Sequence, residues 1–211
     1  NFSDSTSEKI AGGVKTAPTW VNDSTIVYTK RSKPNQWGSK YFDLYRYTFT
    51  DEEEQRLTHN SRLISPVYNV IDNSIAAITS YDGTSNIMIS SNINITHDSL
   101  TFRIITHLDN GIQLLSLAWS GNTLLVDGVY HQGRQIYKVD LDVGELELVS
   151  SGRWENRDQI ITSDGMIYVS DKSGINNLVY QKDGRQDYIT NVMGGAFMPS
   201  VSNDRKILFS L

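Results

Sequence analysis

The chain has 211 residues, of which 38% are hydrophobic, 20% charged and 10% aromatic, enough apolar material for a packed core and incompatible with a disordered tail or a collagen-like repeat. A formal charge of −5, from 24 acidic and 19 basic residues, argues against nucleic acid or an anionic lipid surface as the main partner, and no stretch approaches the roughly 18 consecutive apolar residues of a membrane-spanning helix. The absence of cysteine excludes disulfides, zinc-thiolate sites and a thiol nucleophile.

Asn1-Phe2-Ser3-Asp4 carries neither an initiator Met nor a signal peptide, which predicts a processed or excised chain. Beyond it, a β-rich run recurs as Thr25–Thr29, Ser74–Ile78, Thr123–Asp127, Met166–Ser170 and Lys206–Ser210. From Ile26 to Ile75, Leu124, Ile167 and Ile207 the intervals are 49, 49, 43 and 40 residues. These runs are apolar at consecutive positions and too short for helices, so each reads as a strand covered on both faces. Before each stands a shorter apolar segment, around Trp20, Val67, Leu117, Ile160 and Ser200, joined to it by Asn22-Asp23, Asp72-Asn73, Gly121-Asn122, Asp164-Gly165 or Asn203-Asp204. Such residues tolerate left-handed backbone or bond their own main chain, as a tight hairpin requires. A third strand is centred on Leu44, Ile87, Ile136 and Leu178. A fourth reads Arg56-Leu57-Thr58, Ile104-Ile105-Thr106, Leu148-Val149-Ser150 and Tyr188-Ile189-Thr190, ending each time in a hydroxyl residue.

Four antiparallel strands at this period predict an all-β protein, a β-propeller of four-stranded blades packed face to face. A β-sandwich has the strand spacing without the self-similarity, and a β-helix repeat is about half as long. Glu8-Lys9-Ile10-Ala11 aligns with the fourth-strand positions and reads as an outer strand. The chain is then a single propeller domain or fragment, with an outer strand in 1–17, repeats at approximately 18–59, 60–107, 108–151 and 152–191, and a partial repeat at 192–211. About four and a half to five blades are visible, and the expected ring is six-bladed or larger.

The aligned pattern resembles the TolB-like, WD-type propeller repeat. It matches best over Ile64-Ser65-Pro66, Asp72-Asn73, Ile75-Ala76, Asp82-Gly83 and Asn86-Ile87, next over Asp164-Gly165, Ile167-Tyr168, Asp171, Gly174 and Asn177-Leu178, and more loosely over Gly121-Asn122 and Arg134-Gln135-Ile136-Tyr137. The resemblance covers essentially the whole chain and is one of fold. The same repeats occur in propellers of tricorn-like and prolyl-oligopeptidase-like peptidases, and propellers host unrelated functions.

The sequence has no Gly-x-Ser-x-Gly elbow, no His-Glu-x-x-His pair and no phosphate-binding Gly-x-x-x-x-Gly-Lys loop, so the chain reads as non-catalytic and without a cofactor. His59 and His107 occupy equivalent positions one repeat apart, where neighbouring blades diverge; His97 and His131 lack a spaced partner. No metal site is expected. Asp51-Glu52-Glu53-Glu54 reads as a solvated turn and Asp140–Glu145 as a hairpin turn rather than a calcium loop. The triplets at Asn1, Asn22 and Asn94 are formal glycosylation acceptors of a kind common by chance in such a composition. Trp20, Tyr68 and Trp119 recur at one inner-strand position, which points to packing between blades.

The connection from Lys30 to Tyr41 is longer than its counterparts, and it sets Lys30, Arg31, Lys33 and Lys40 around Trp37 with no acid. In propeller topology it opens on the face of the fourth-to-first-strand connections. The candidate partner-binding set is therefore Arg31, Lys33, Trp37, Lys40, His59, Tyr81 and His107. The other long connection, Ser90 to Thr101, opens on the opposite face. The resemblance implies a non-catalytic scaffold that binds a protein or peptide, or other domains of the same full-length chain, in a periplasmic or otherwise extracytoplasmic setting without membrane insertion. The alternative is a substrate-filtering propeller of a larger multidomain peptidase.

Overall fold

The computed structural model describes residues 7–90, 100–131, 133–150, 152–202 and 206–211. Their strands form five antiparallel sheets taken up in chain order. The first holds β1 (Thr19–Asn22), β2 (Thr25–Arg31), β3 (Phe42–Thr48) and β4 (Glu53–Arg56), and the second β5 (Leu63–Asn69), β6 (Ser74–Thr79), β7 (Asn86–Ser90) and β8 (Arg103–Ile104). The third holds β9 (Gln113–Ser120), β10 (Thr123–Val129), β11 (Arg134–Val139) and β12 (Leu146–Leu148), and the fourth β13 (Asn156–Thr162), β14 (Gly165–Ser170), β15 (Asn177–Lys182) and β16 (Arg185–Tyr188). The fifth pairs β17 (Phe197–Val201) with β18 (Ile207–Ser210). The all-β propeller of four-stranded blades is thus what the chain forms.

The consecutive apolar runs are explained by what each face meets. Ile75 and Ala77 of β6 pack with Val27 and Leu44 of the first sheet, while Ala76 and Ile78 pack with Leu117, Leu124 and Val126 of the third. Met166 and Tyr168 of β14 face Leu125 and Ile136, and Ile167 and Val169 face Ala196 and Phe197. Each second strand is the middle of two cores, and its large side chains are each worth about 1.5–3 kcal/mol in burial.

The inner strands add polar links between blades. β5, β13 and β17 each carry a bulge with a residue at positive φ, namely Ser65, Asp158 and Met198. The Ser65 N–H donates to Thr16 Oγ1 at 3.1 Å and the Tyr68 N–H to Thr19 Oγ1 at 3.0 Å. The Trp119 Nε1–H donates to the Val67 carbonyl at 3.3 Å, so Tyr68 and Trp119 sit between blades. The Asp158 N–H donates at 2.9 Å to the buried Asp127 carboxylate, which also takes Arg134 at 2.8 Å.

Three local readings are corrected. Glu8–Ala11 forms no strand: Ile10 and Ala11 pack instead on Ile26, Tyr28, Tyr45 and Tyr47, and the backbone bridge falls at Val14 with Lys30. Trp20 is 58% exposed and stacks on Phe49 of its own blade at 5.6 Å, because among the described residues no sheet precedes the first to meet it. The acidic run is only half a turn: Glu53 and Glu54 lie in β4, and Glu54 takes both Lys30 and the Tyr28 hydroxyl. Asp140 does form the expected hairpin turn, its carboxylate accepting the N–H groups of Asp142 and Val143 at 2.9 and 3.0 Å. His97 and the triplets at Asn1 and Asn94, like the Asn203-Asp204 turn, lie outside the described residues.

Candidate partner-binding face

The Lys30–Tyr41 connection is an ordered excursion. At its neck the Ser32 N–H donates to the Tyr41 carbonyl at 2.8 Å and the Tyr41 N–H to Ser32 Oγ at 3.2 Å. At its tip the Asn35 side-chain oxygen accepts the N–H groups of Trp37 and Ser39 at 3.0 and 2.9 Å, and the Asn35 carbonyl accepts Gly38 N–H at 2.9 Å. An asparagine replacing backbone in this way fixes a turn without buried contacts. The result holds Trp37 outward with 78% of its surface exposed, not folded back on its blade. Much of the ordering cost that a binding loop would otherwise meet on contact has been met beforehand.

Lys33 and Lys40 flank the tip, exposed and with no ion pair among the described residues. Arg31 closes β2 with its guanidinium 5.4 Å from the Phe42 ring, whose face also meets Lys15 at 5.1 Å. Lys30 leaves the group that composition suggested: it pairs across the sheet with Glu54 and lies 4.6 Å from the Tyr45 ring.

The centre of the face is a residue that sequence reasoning passed over. Arg62, at φ 54 in the β4–β5 connection, lies 4.7 Å from the Tyr41 ring and 5.6 Å from the Tyr81 ring. Its Nη1 donates to the Tyr81 carbonyl at 3.0 Å and its Nη2 to the Tyr41 hydroxyl at 3.4 Å. The hydrogen bond from Arg62, followed by that from Ser39, holds the Tyr41 phenol below its ordinary ionisation range. A planar cation between two aromatic faces joins the long loop of the first blade to the β6–β7 connection of the second. The one signal for it in the sequence was position, three residues after His59 in the same connection.

Tyr81 is 71% exposed beside this arginine. His107 is exposed in the β8–β9 connection, near enough to add a small pull on the Asp82 carboxyl, which is held below its usual range chiefly by the hydrogen bond from the Thr84 hydroxyl. His59 is exposed in the β4–β5 connection. No hydrogen bond, ion pair or ring contact among the described residues joins Trp37, Lys33 or Lys40 to Tyr81, His59 or His107. The structure therefore brings Tyr81 together with Tyr41 and Arg62, and leaves the loop tip and the histidines as separate points. The His131 ring lies tilted against Tyr130, 4.1 Å between ring centroids, in the corresponding connection of the third blade. Among the described residues no three His, Asp or Glu side chains converge as metal ligands. This surface presents the exposed rings of Trp37 and Tyr81 and, among the described residues, the unpaired cations Lys33 and Lys40.

No family model matches the chain, and no curated protein matches it. Solved structures do. TolB from Acinetobacter baumannii superposes with a TM-score of 0.69 at 17% identity, over 88% of this chain and 46% of its own. A putative TolB from Agrobacterium tumefaciens gives 0.70 at 20% identity, over 92% of this chain and 68% of its own. The β-propeller domain of the Trilobed protease from Pyrococcus furiosus gives 0.57 at 14% identity, over 83% and 51%. The chain spans about half the length of the first and third of these proteins. With its five successive sheets, its doubly covered second strands and these superpositions, the chain has the fold of a TolB-like β-propeller.

Proposed function

We propose that this chain is a non-catalytic propeller scaffold that binds a protein or peptide partner across the face carrying Trp37, Arg62 and Tyr81. The observation that carries this reading is the Tyr41–Arg62–Tyr81 stack, which makes one rigid platform of connections from two blades. Exposed Trp, Tyr and Arg held in fixed positions are the residue types that dominate interface energetics. Arg31, Lys33 and Lys40 beside them, in a protein of net charge −5, favour a partner segment with acidic residues. The TolB-like fold agrees with a periplasmic or otherwise extracytoplasmic setting, and among the described residues no helix is long and apolar enough to cross a membrane.

Pull-down from the source proteome tests the reading with three baits: the wild type, Trp37→Ala and the double variant Lys33→Glu, Lys40→Glu. A partner retained by the wild type, released by salt and lost with both variants supports it. A partner retained equally by all three removes the face from consideration. The likeness to the propeller of a protease supports the second reading, a module that filters substrate for a catalytic domain elsewhere in a longer chain. The full-length reading frame discriminates: a hydrolase elbow or a metal-binding His pair encoded beside this segment favours the peptidase.

A further inference from the structure

The β8–β9 connection forms a short arch anchored at both ends. Leu108 holds the near end, its N–H donating to Asn86 Oδ1 at 2.7 Å and its side chain packing on the core between the second and third sheets. Ile112 holds the far end, buried in the same core. Between them Asp109, Asn110 and Gly111 are exposed. Asn110 Oδ1 accepts the Ile112 N–H at 3.1 Å, an asparagine turn that folds the side-chain amide back over the peptide unit joining Asn110 to Gly111. Gly111 sits at φ 81, and a Cβ built there would meet nothing within 4 Å. Its own N–H makes no hydrogen bond among the described residues.

Three other asparagines make the same turn: Asn22 with the Ser24 N–H at 2.9 Å, Asn35 with that of Trp37 at 3.0 Å and Asn69 with that of Ile71 at 3.0 Å. The residue after each is Asp23, Gln36 or Val70, whose side chain crowds the main-chain nitrogen. Asn110 is the one asparagine of the 211-residue chain that glycine follows. The Gly111 nitrogen carries no side chain on its Cα to obstruct it, and the Asn110 carbonyl beside it already takes a hydrogen bond on its oxygen. These are the two features an intramolecular acyl transfer needs: proximity, and a donor placed where negative charge develops.

We propose that Asn110 and Gly111 form a self-modification site, at which the asparagine is converted to aspartate and isoaspartate. The Gly111 nitrogen gives its proton to solvent base and bonds to Asn110 Cγ, while the Ile112 N–H holds the oxygen that becomes negative. The bond from Cγ to the side-chain nitrogen then breaks, ammonia leaves with a proton taken from water, and a cyclic imide remains. Water adds to either imide carbonyl and is the only co-reactant. Opening at Cγ restores the ordinary chain with an aspartate; opening at the main-chain carbonyl of residue 110 routes the chain through the side chain as isoaspartate. Both products place a new carboxylate beside Asp109, in the connection that carries His107, and isoaspartate also lengthens an arch fixed at Leu108 and Ile112. The proposal rests on this connection alone and not on the partner-binding reading.

Peptide mapping by mass spectrometry tests it on the whole chain, kept folded in mildly alkaline buffer, with aspartyl and isoaspartyl peptides separated and measured against the unmodified one. Asn110 is expected to convert at least about tenfold faster than Asn22, Asn35 and Asn69, which share its turn and lack its glycine. Gly111→Ala, whose methyl group enters open space, should slow the conversion by about tenfold or more. The same chain unfolded in urea separates the dipeptide from the turn: the folded rate should equal or exceed the unfolded one. An advantage over the three control asparagines of less than about tenfold, a slowing in Gly111→Ala of less than about tenfold, or a folded rate below the unfolded one would each overturn the proposal.

Discussion

Thr106 accepts the Ile87 N–H on its hydroxyl at 2.8 Å and passes its own proton to Asn86 Oδ1 at 3.0 Å, tying the third strand of its blade to the chain leaving the fourth. The same clip recurs as Thr58 with Leu44 and Asp43, Ser150 with Ile136 and Gln135, and Thr190 with Leu178 and Asn177. In three of the four the side-chain acceptor also takes an onward backbone N–H, from Ser61, Leu108 or Val192. The clip thus holds the third strand and steers the chain towards the next blade.

Thr106→Val leaves the Ile87 N–H without its acceptor in a buried place and Asn86 Oδ1 with only the Leu108 N–H, while the side chain's shape is conserved. It is expected to lower unfolding free energy by about 2 kcal/mol, whereas Thr106→Ser, which keeps both bonds, should cost less than about 1 kcal/mol. Urea unfolding of the two variants beside the wild type measures this. Equal losses would assign the effect to the methyl group instead.

How much of this was legible follows from the distances involved. Ile75-Ala76-Ala77-Ile78 announces a strand between two cores because burial on both faces writes itself into consecutive residues. The hydroxyl at the end of each fourth strand was visible as a repeated position, but its use was not, since Thr58 and Leu44 meet only once two strands have paired. The strands themselves stop two residues earlier, at Arg56, Ile104, Leu148 and Tyr188, because the side chain there replaces the ladder. The long loop and its exposed Trp37 were readable from insertion length and composition. Lys30 with Glu54 was not, because a cross-strand partner 24 residues away leaves no local mark. Arg62 was hidden for the same reason: its two rings come from other connections.

Among the four clips the first blade alone uses a titratable acceptor. Burial by itself would raise the Asp43 carboxyl, but hydrogen bonds from the Ser61 N–H and hydroxyl and from Arg56 prevail and hold it below its ordinary range. Folding therefore favours the carboxylate, so this stabilisation is present above the unfolded value of about 4 and is lost as pH falls through the folded value. Amide exchange, corrected for intrinsic rate, should show the Leu44 and Ser61 N–H groups losing protection in acid while Ile87 and Leu108 keep theirs. Asp43→Asn should remove the difference. A global melt would blur it, because burial raises the Asp127 carboxyl and gives that group the opposite pH sign.

Gly144 carries a second, sharper test of packing between blades. At φ 80, a Cβ there would stand 2.2 Å from the Ile105 carbonyl oxygen of the preceding sheet's outer edge, whereas at Gly174, φ 88, it would meet nothing within 4 Å. Gly174→Ala should cost only the left-handed strain of about 1 kcal/mol; Gly144→Ala adds a backbone collision and should cost about 3 kcal/mol or more. Thermal unfolding of the two variants separates strain from contact, and equal losses would mean that the third blade's hairpin moves away freely.

Arg62 and Trp37 separate a platform from a hook. The Trp37 side chain is 78% exposed and makes no hydrogen bond or ring contact among the described residues, so Trp37→Ala should leave the melting temperature unchanged and act only on partner binding. Arg62 sits between two rings and donates to both of its neighbours' connections, so Arg62→Lys keeps the charge but loses the plane that stacks and the fork that donates. That substitution is expected to cost about 1 kcal/mol of stability and to weaken a captured partner about tenfold. The phenol of Tyr41 supplies an independent readout: with the arginine hydrogen bond gone, its ionisation should move back up in an ultraviolet titration of Arg62→Lys compared with wild type. If binding falls in Trp37→Ala but not in Arg62→Lys, while the Tyr41 titration shifts as described, the partner engages the loop tip alone and the stack serves only to hold two blades in register.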